Sequence, residues 1–543
     1  MSDVASGPGR VSVEQVHAAV AARDMDAAIR LARRAHAQGL REPLVLNLMA
    51  YQLELEDRIE EALAVLGEAQ RLSPTDPFLL NSIGVCHSKA GRPHDALPAF
   101  EAALALDPTL AHAHNGRGLA LAAMGDPQKA WEAQVTAAEL DPTFPEPVGA
   151  LAALAAEQKD WAAARDLASK ALALEENQPA ATMALAAAEQ AAGEHTAVVE
   201  LMDRLVAGGR LTKLHLATAL QLKAEALDGL GRPQEAMRTY EAANRELRPI
   251  QVGALQAELG LDTVDRLTAY FQTAPVAAWG SVPETQRAER EAGHVFVVGF
   301  ARSGTTLLEQ VLASHARCVA LEEKPTIDEA IIEFFGDPAS LDRLAALDED
   351  SAREWRERYW RRVREFGVDP TGKVFVDKLP MHTIYQPAVA KLFPRAKILL
   401  ARRDPRDVVV SCFRKRFRPN RLVVEFTDLE RSARLYAATM RLAEIYREKL
   451  AVPLHIHRHE ALIEDFDAET QAICNFIGLP WDPNMRNFVE TANQRDIRTP
   501  SADQVRRGLN SEGVGQWRRY GDSIEVIKPI LAPWVEAFGY AKD

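Results

Sequence analysis

A 34-residue period in the first half of the chain constrains its fold more than any other feature. Pro74, Pro108 and Pro142 follow it, as do Gly84 and Gly118, Gly91 and Gly125, and the series Ala28, Ala62, Ala96, Ala130 and Ala164. The period describes one helix pair per repeat. Gly84 and Gly118 fall on first helices and Ala96 and Ala130 on second helices, small where two helices must approach closely. Asp76-Pro77, Asp107-Pro108 and Asp141-Pro142 supply breakers between units. A generic alanine-rich bundle repeats small residues through helix propensity alone and gives no reason for several residue types to share one spacing. The pattern continues, degraded, to Gly231-Arg-Pro-Gln-Glu-Ala236-Met-Arg-Thr-Tyr240 after an insertion of four residues around Gly208-Gly209, about seven pairs in all.

The 543 residues are 47% hydrophobic and 26% charged, which excludes collagen-like, disordered and disulfide-scaffold chains. Cys86, Cys318, Cys412 and Cys474 are too scattered for a zinc cluster and read as reduced thiols of a cytoplasm-like compartment, so no metal is expected. The first residues lack the profile of a secretory signal, and no stretch approaches the ~18 apolar residues that span a bilayer. The expectation is a soluble, cytoplasmic protein. A net charge of −13 argues against nucleic-acid binding, so any polyanionic ligand must meet a local basic pocket.

These readings divide the chain into a helical array over 10–245, a helical cap and linker over 246–292, and a second domain over 293–541. That domain opens with Val295-Phe-Val-Val-Gly-Phe300, a β-branched apolar run expected to form a buried parallel strand. Ala301-Arg302-Ser303-Gly304-Thr305-Thr306 follows, then Leu307, Leu308, Val311, Leu312 and His315 at helical spacing. A strand, a small-residue loop and a helix N-terminus form a ready oxyanion site. Gly299 and Gly304 have the spacing of a nucleotide-binding P-loop, but Thr305-Thr306 stands where a nucleoside triphosphatase carries lysine and a hydroxyl residue. Arg302 offers instead a planar fork suited to a tetrahedral oxyanion.

Further strand ends converge on this loop. Cys318-Val-Ala-Leu321 reads as a second strand, parallel to the first, so Glu322-Glu323 falls on the same sheet edge as Arg302, with neighbouring strands about 5 Å apart. Either glutamate could take a proton there. Lys373-Val-Phe-Val-Asp377 runs into Lys378, and Lys397-Ile-Leu-Leu400 into Arg402-Arg403-Asp404-Pro405. Four strands thus deliver their carboxyl ends, the ligand-binding ends of parallel α/β sheets, to one place. Asp404 is a good N-cap and Pro405 a good first helical residue, which puts Ser411 two turns on, along the same side. Nine basic and two acidic residues between Arg395 and Arg418 form the local pocket that the acidic total demands. His455, His457 and His459 alternate as half-buried strand residues would.

The run Val297-Val-Gly-Phe-Ala-Arg-Ser-Gly-Thr-Thr306, with Leu-Leu-Glu-Gln-Val-Leu-Ala-Ser-His315, resembles the 5′-phosphosulfate loop of sulfotransferases that use 3′-phosphoadenosine 5′-phosphosulfate (PAPS). It is most similar to bacterial tetratricopeptide-repeat sulfotransferases and to tyrosylprotein sulfotransferases. The family usually has proline before the arginine, where this chain has Ala301. The array resembles the tetratricopeptide-repeat family, most clearly over Asp76 to Thr143, with Phe100 at a core position. These resemblances imply a tetratricopeptide solenoid followed by an α/β, P-loop-like domain with a central parallel sheet. They imply PAPS as co-substrate, held by Arg302, Ser303, Gly304, Thr305 and Thr306 at the phosphosulfate and by Arg403 with Ser411 at the 3′-phosphate. Glu323 would be the general base, Lys378 would face the bridging oxygen, and Ser501, in Ser501-Ala-Asp-Gln-Val505, would be a second contact to that oxygen. Arg506, Arg507 and Arg518 would close over the nucleotide, and Phe476-Ile-Gly-Leu-Pro-Trp-Asp-Pro483 would be structural. A peptide tyrosine is the favoured acceptor, and the repeats are expected to bind a peptide or protein substrate or partner. The rival readings are a P-loop nucleotide kinase and a repeat scaffold carrying an inactive transferase-like domain.

Overall fold

The computed structural model describes residues 11–209, 211–255, 257–279, 291–495, 497, 499 and 501–541. The chain divides into two compact units between Gly231 and Arg232.

In the first unit, helices alternate from Val13–Ala21 and Met25–Ala37 through to His195–Ala207 and Lys213–Gly229, the tetratricopeptide-type array that the period predicts. Ala28, Ala62, Ala96, Ala130 and Ala164 are all fully buried on second helices. The buried Phe100 ring explains two glycines at once. A Cβ on Gly84 would lie 2.6 Å from the ring and one on Gly116 2.3 Å, so Gly116, which the repeat pattern does not single out, is as constrained as Gly84. Gly118 is held small by Gln134, whose Nε2 donates to Asn115 O at 3.1 Å. The breakers work by two devices. The Asp76 carboxylate caps its helix at Phe78 N and Leu79 N, whereas Asp107 and Asp141 accept from Thr109 N and Thr143 N in local turns before helices that start at Ala111 and Pro145.

The helix Pro233–Leu255, whose start reads in sequence as the last repeat, belongs to the second unit. Asn244 Nδ2 donates to Phe413 O at 3.0 Å, and Arg248 donates to Val424 O at 2.8 Å and pairs with the buried Glu425. The same helix buries Ala236, Met237, Tyr240 and Ala243. Of the expected linker, residues 280–290 lie outside the described residues; Gly260–Thr273 is helical and Val276–Trp279 a short 3-10 turn.

The second unit is built on a five-stranded sheet: β1 Gly293–Gly299, β2 Cys318–Glu322, β3 Val374–Lys378, β4 Lys397–Arg402 and β5 Leu454–Arg458. All pairings are parallel and the order is β2-β3-β1-β4-β5. Val295 and Val297 of β1, Val376 of β3 and Leu399 of β4 pack in one core with Leu308, Val311 and Leu312 of the helix Thr305–Ala313. The expected strands are present, and the one suggested by the alternating histidines is β5, which ends at Arg458 before His459. The sequence reading puts Glu322-Glu323 near Arg302 across neighbouring strands, but β3 lies between β2 and β1, and the register aligns Glu322 with Lys378. From β1 the chain crosses toward β2, and from β4 toward β5 on the other side. The neighbours β1 and β4 therefore open a crevice at their carboxyl ends, which is where ligands of such sheets bind. No helix among the described residues is long and apolar enough to cross a membrane.

The packing at Phe100 makes a direct test. Gly116→Ala forces the fully buried ring to move and is expected to cost about 1–3 kcal/mol in denaturant unfolding. Gly67→Ala, on a helix with nothing within 4 Å of the new methyl, is expected to be neutral or to gain up to about 1 kcal/mol.

Candidate functional site

The loop after β1 turns sharply. Arg302 has φ 68° and Gly304 φ 93°. A Cβ on Gly304 would lie 2.5 Å from His459 Nδ1, so this position needs glycine twice over. The helix Thr305–Ala313 begins at Gly304 without a side-chain cap, so its first N–H groups meet no side-chain acceptor of the cap residue. Ser303, Thr305 and Thr306 are buried at this corner, with Ser303 N donating to Phe300 O at 3.2 Å and Thr306 Oγ1 3.3 Å from Thr499 Oγ1. A left-handed arginine costs roughly 1–3 kcal/mol and persists only where the surroundings over-determine it. Here its side chain is fully engaged: Nε donates to Ser411 Oγ at 2.9 Å, Nη2 to Gln504 Oε1 at 2.8 Å, and Nη1 to Ser501 Oγ. Burial, with Arg403 and Arg414 nearby, pulls this guanidinium down to about 10.

From β4 the chain enters the helix Pro405–Phe413, capped by Asp404 as expected, with Asp404 Oδ1 accepting from Arg406 N at 2.9 Å. Arg403 reaches back toward β1. Its Nη1 donates to Arg302 O at 3.1 Å and its Nη2 to Gly513 O, while Nε is buried with no partner. The resemblance pairs Ser411 with Arg403; in the structure Ser411 Oγ accepts from Arg302, and its hydroxyl proton remains available to a ligand oxygen. Asp407 pins the late segment, accepting from Gly515 N at 2.6 Å and Trp517 N at 3.0 Å. A cavity lies among Arg302, Gly304, Thr306, Arg403, His459, Ser501 and Gln504. His459 begins the helix after β5 instead of continuing the strand, so this imidazole comes to the site by the same strand-end rule as the others. Arg507 pairs with Glu512 at an exposed edge and Arg506 donates to the Arg495 carbonyl; neither is among the residues lining the cavity. Arg518 stacks over Trp517.

At the ends of β2 and β3 the charge sign alternates. Lys378 is fully buried, with Nζ 2.7 Å from Glu323 Oε1, 3.5 Å from Glu309 Oε2 and 3.6 Å from Glu322 Oε1. Burial alone would lower this ammonium, but Glu309, Glu323 and Glu322 together outweigh it and raise it. Glu323 is 40% exposed, has φ 41°, and donates its N–H to Lys378 O at 2.9 Å; Glu322 is mostly buried and is pushed up, burial being the main cause. Glu309, the only acidic residue of the helix Thr305–Ala313, was not singled out in sequence; a charge between Leu308 and Val311 on a buried face was the signal. Beneath the pair, Asp377 Oδ2 accepts from Tyr359 OH at 2.6 Å and Thr326 Oγ1 at 2.8 Å, and His294 Nε2 lies 2.9 Å from Tyr359 OH.

The cationic end fits a nucleotide carrying a phosphosulfate and a second phosphate. Two buried guanidiniums, one with an unpartnered N–H, face an uncapped helix N-terminus and a hydroxyl with a free proton.

Residues 294–483 match the family model described as "Sulfotransferase family", which bears out the resemblance read from the loop. An uncharacterized protein of Aquifex aeolicus (strain VF5) is 26% identical over 276 residues, 48% of this chain and 35% of that protein. The chain thus spans about a third of that relative's length. "Protein-tyrosine sulfotransferase A" of Caenorhabditis elegans is 23% identical over 284 residues, 46% of this chain and 68% of that protein. Among solved structures, a tetratricopeptide repeat protein from Parabacteroides merdae is 13% identical, with a TM-score of 0.34 over 43% of this chain and 91% of that one. A thermophilic tetratricopeptide protein of Thermus thermophilus is 18% identical, with a TM-score of 0.30 over 35% and 98%.

Asp377 gives a pH-dependent consequence. Burial raises its carboxyl from 3.8 to about 6, against the lowering effect of its two hydrogen bonds. A native pKa above the unfolded one means stability that is complete below about pH 4 and is lost as pH rises through 6. Asp377→Asn, neutral throughout, is expected to gain about 3 kcal/mol relative to wild type between pH 4 and pH 7 in denaturant unfolding. An unchanged difference across that range would mean that the carboxyl is not titrating there.

Proposed function

We propose that residues 293–541 form a PAPS-dependent sulfotransferase that sulfates a hydroxyl, most readily a tyrosine of a protein or peptide, and that the repeat array of the first unit recruits that substrate or a partner. The observation that carries this reading is a division of charge along one sheet edge: a cationic pocket at the β1–β4 crevice and a lysine–glutamate pair at the ends of β3 and β2. When bound, PAPS supplies an electrophilic sulfur and a phosphate leaving group. Arg302 and the amides of Ser303 to Thr306 bind the phosphosulfate end. Arg403 and the Ser411 hydroxyl bind the 3′-phosphate, with Ser411 oriented by the hydrogen bond it accepts from Arg302. Glu323, the exposed member of the carboxylate set, takes the proton of the acceptor hydroxyl. Lys378, kept cationic by its neighbours, offsets charge growing on the leaving oxygen, and Ser501 adds a second contact there.

A phenol, with a reference pKa of about 10, loses its proton to a carboxylate more readily than an alkyl alcohol does. The acceptor in the name of the Caenorhabditis elegans relative supports the same choice. The four buried free cysteines support a reducing, cytoplasmic setting. A P-loop kinase remains the second reading on the strength of the Gly299–Gly304 spacing alone, and magnesium-dependent ATP turnover would favour it.

The test is incubation with labelled PAPS and tyrosine-containing peptides or a cell extract, followed by identification of the labelled product. Glu323→Ala is expected to keep 3′,5′-diphosphoadenosine binding and to lose turnover by roughly a hundredfold or more. Wild-type turnover in that variant would remove Glu323 as the base. Arg403→Ala is expected to weaken diphosphoadenosine binding at least tenfold by calorimetry, since it deletes a buried charged donor from the phosphate end.

A further inference from the structure

Glu309 has no place in the sulfuryl-transfer scheme, yet it is a fully buried carboxylate in direct reach of Lys378. It sits on the helix Thr305–Ala313, with Oε1 3.0 Å from Arg495 Nη1 and Oε2 3.5 Å from Lys378 Nζ, and neither oxygen makes a hydrogen bond. A buried charge held only by ion pairs is expensive unless its charge is wanted where it stands. Arg495 is itself fixed, its Nη2 donating to Ala320 O at 2.9 Å and its Nη1 to Gln310 Oε1 at 3.2 Å. Glu309, Glu322 and Glu323 therefore surround Lys378 with three carboxylates, against two cations, Lys378 and Arg495. The formal sum is −1.

Proton transfer changes that sum at a critical moment. As the acceptor oxygen bonds to sulfur and the sulfur–oxygen bond to the leaving phosphate breaks, the acceptor proton moves to Glu323 and the bond's electron pair leaves on the phosphate. Glu323, the nearest counter-ion of a fully buried ammonium, loses its charge in that step. We propose that Glu309 is a positioning residue that keeps Lys378 charged and aimed while Glu323 is protonated, and that its fixed negative charge makes proton uptake by the cradle favourable. With Glu309 present the cradle passes from −1 to 0. With Glu309 neutral it would pass from 0 to +1, an uncompensated charge in a buried site. Arg495 is the second half of the device: it holds Glu309 in place and sets the sum. This inference rests on the transferase reading above, and Glu309 itself touches neither substrate.

The charge count has a signature that packing does not. Glu309→Gln is expected to lower kcat at least tenfold while the KM for PAPS and calorimetric binding of 3′,5′-diphosphoadenosine change by less than about threefold. The double variant Glu309→Gln, Arg495→Gln restores the sum of −1 and is expected to recover part of the lost kcat, although it deletes a further buried group. Glu322→Gln removes an equal charge at 3.6 Å from a less buried site and is expected to act in the same direction, more weakly; it carries the test if Glu309→Gln does not fold. A kcat within twofold of wild type in a folded Glu309→Gln protein, a double variant slower than the single one, or loss of diphosphoadenosine binding together with kcat would each overturn the proposal. Absence of sulfuryl transfer by the wild-type protein would instead overturn the transferase reading, so the two failures are distinguishable.

Discussion

The site depends on the place in the sheet where β1 and β4 lie side by side while the chain leaves them in opposite directions. At that point no crossover helix can cover the carboxyl ends of both strands, so a crevice is unavoidable. The loop after β1 and the turn after β4 face each other across it, which brings Arg302 and Arg403 together although 101 residue positions separate them in the chain. Two buried guanidiniums repel, and the fold accepts that cost. Arg302 is held by Ser411, Ser501 and Gln504, and Arg403 by two backbone carbonyls. Such an arrangement is electrostatically prepared for a polyanion even in a chain with an acidic total.

One strand further along, β3 separates Glu322 and Glu323 from the pocket around Arg302 and Arg403. The inserted strand has a chemical effect. It places Lys378 between the two sets, its backbone bonded to Glu323 and its ammonium buried among carboxylates from β2, from the loop beyond it and from the helix after β1. Arg302 and Glu323 both have positive φ, each just beyond a strand end.

How much of this was legible in sequence varies with the kind of signal. The helix pairs were readable because every repeat buries the same small residues against the same neighbours, so Ala28 through Ala164 report one packing environment five times. The loop after β1 was readable because strand, glycine corner and helix are contiguous. Gly116 was missed because, unlike Gly84, it has no partner at the repeat spacing; His459 was read as a strand residue, and the single charge of Glu309 and the Gln504 amide lie inside longer runs that drew attention to other residues. Arg506 and Arg507, expected to close over the nucleotide, contact the Arg495 carbonyl and Glu512.

The sequence by itself determined that the chain holds a helical repeat array and a parallel α/β domain with a glycine-cornered loop between its first strand and helix, because both follow from short-range periodicity and backbone preference. Only the tertiary structure decided that β3 stands between β2 and β1, that Ser411 serves Arg302, and that Glu309 and Arg495 complete a charge cradle around Lys378. Strand order and ion pairing between distant segments are set by the global packing of the sheet, and no local spacing encodes which of several charged side chains will be buried together.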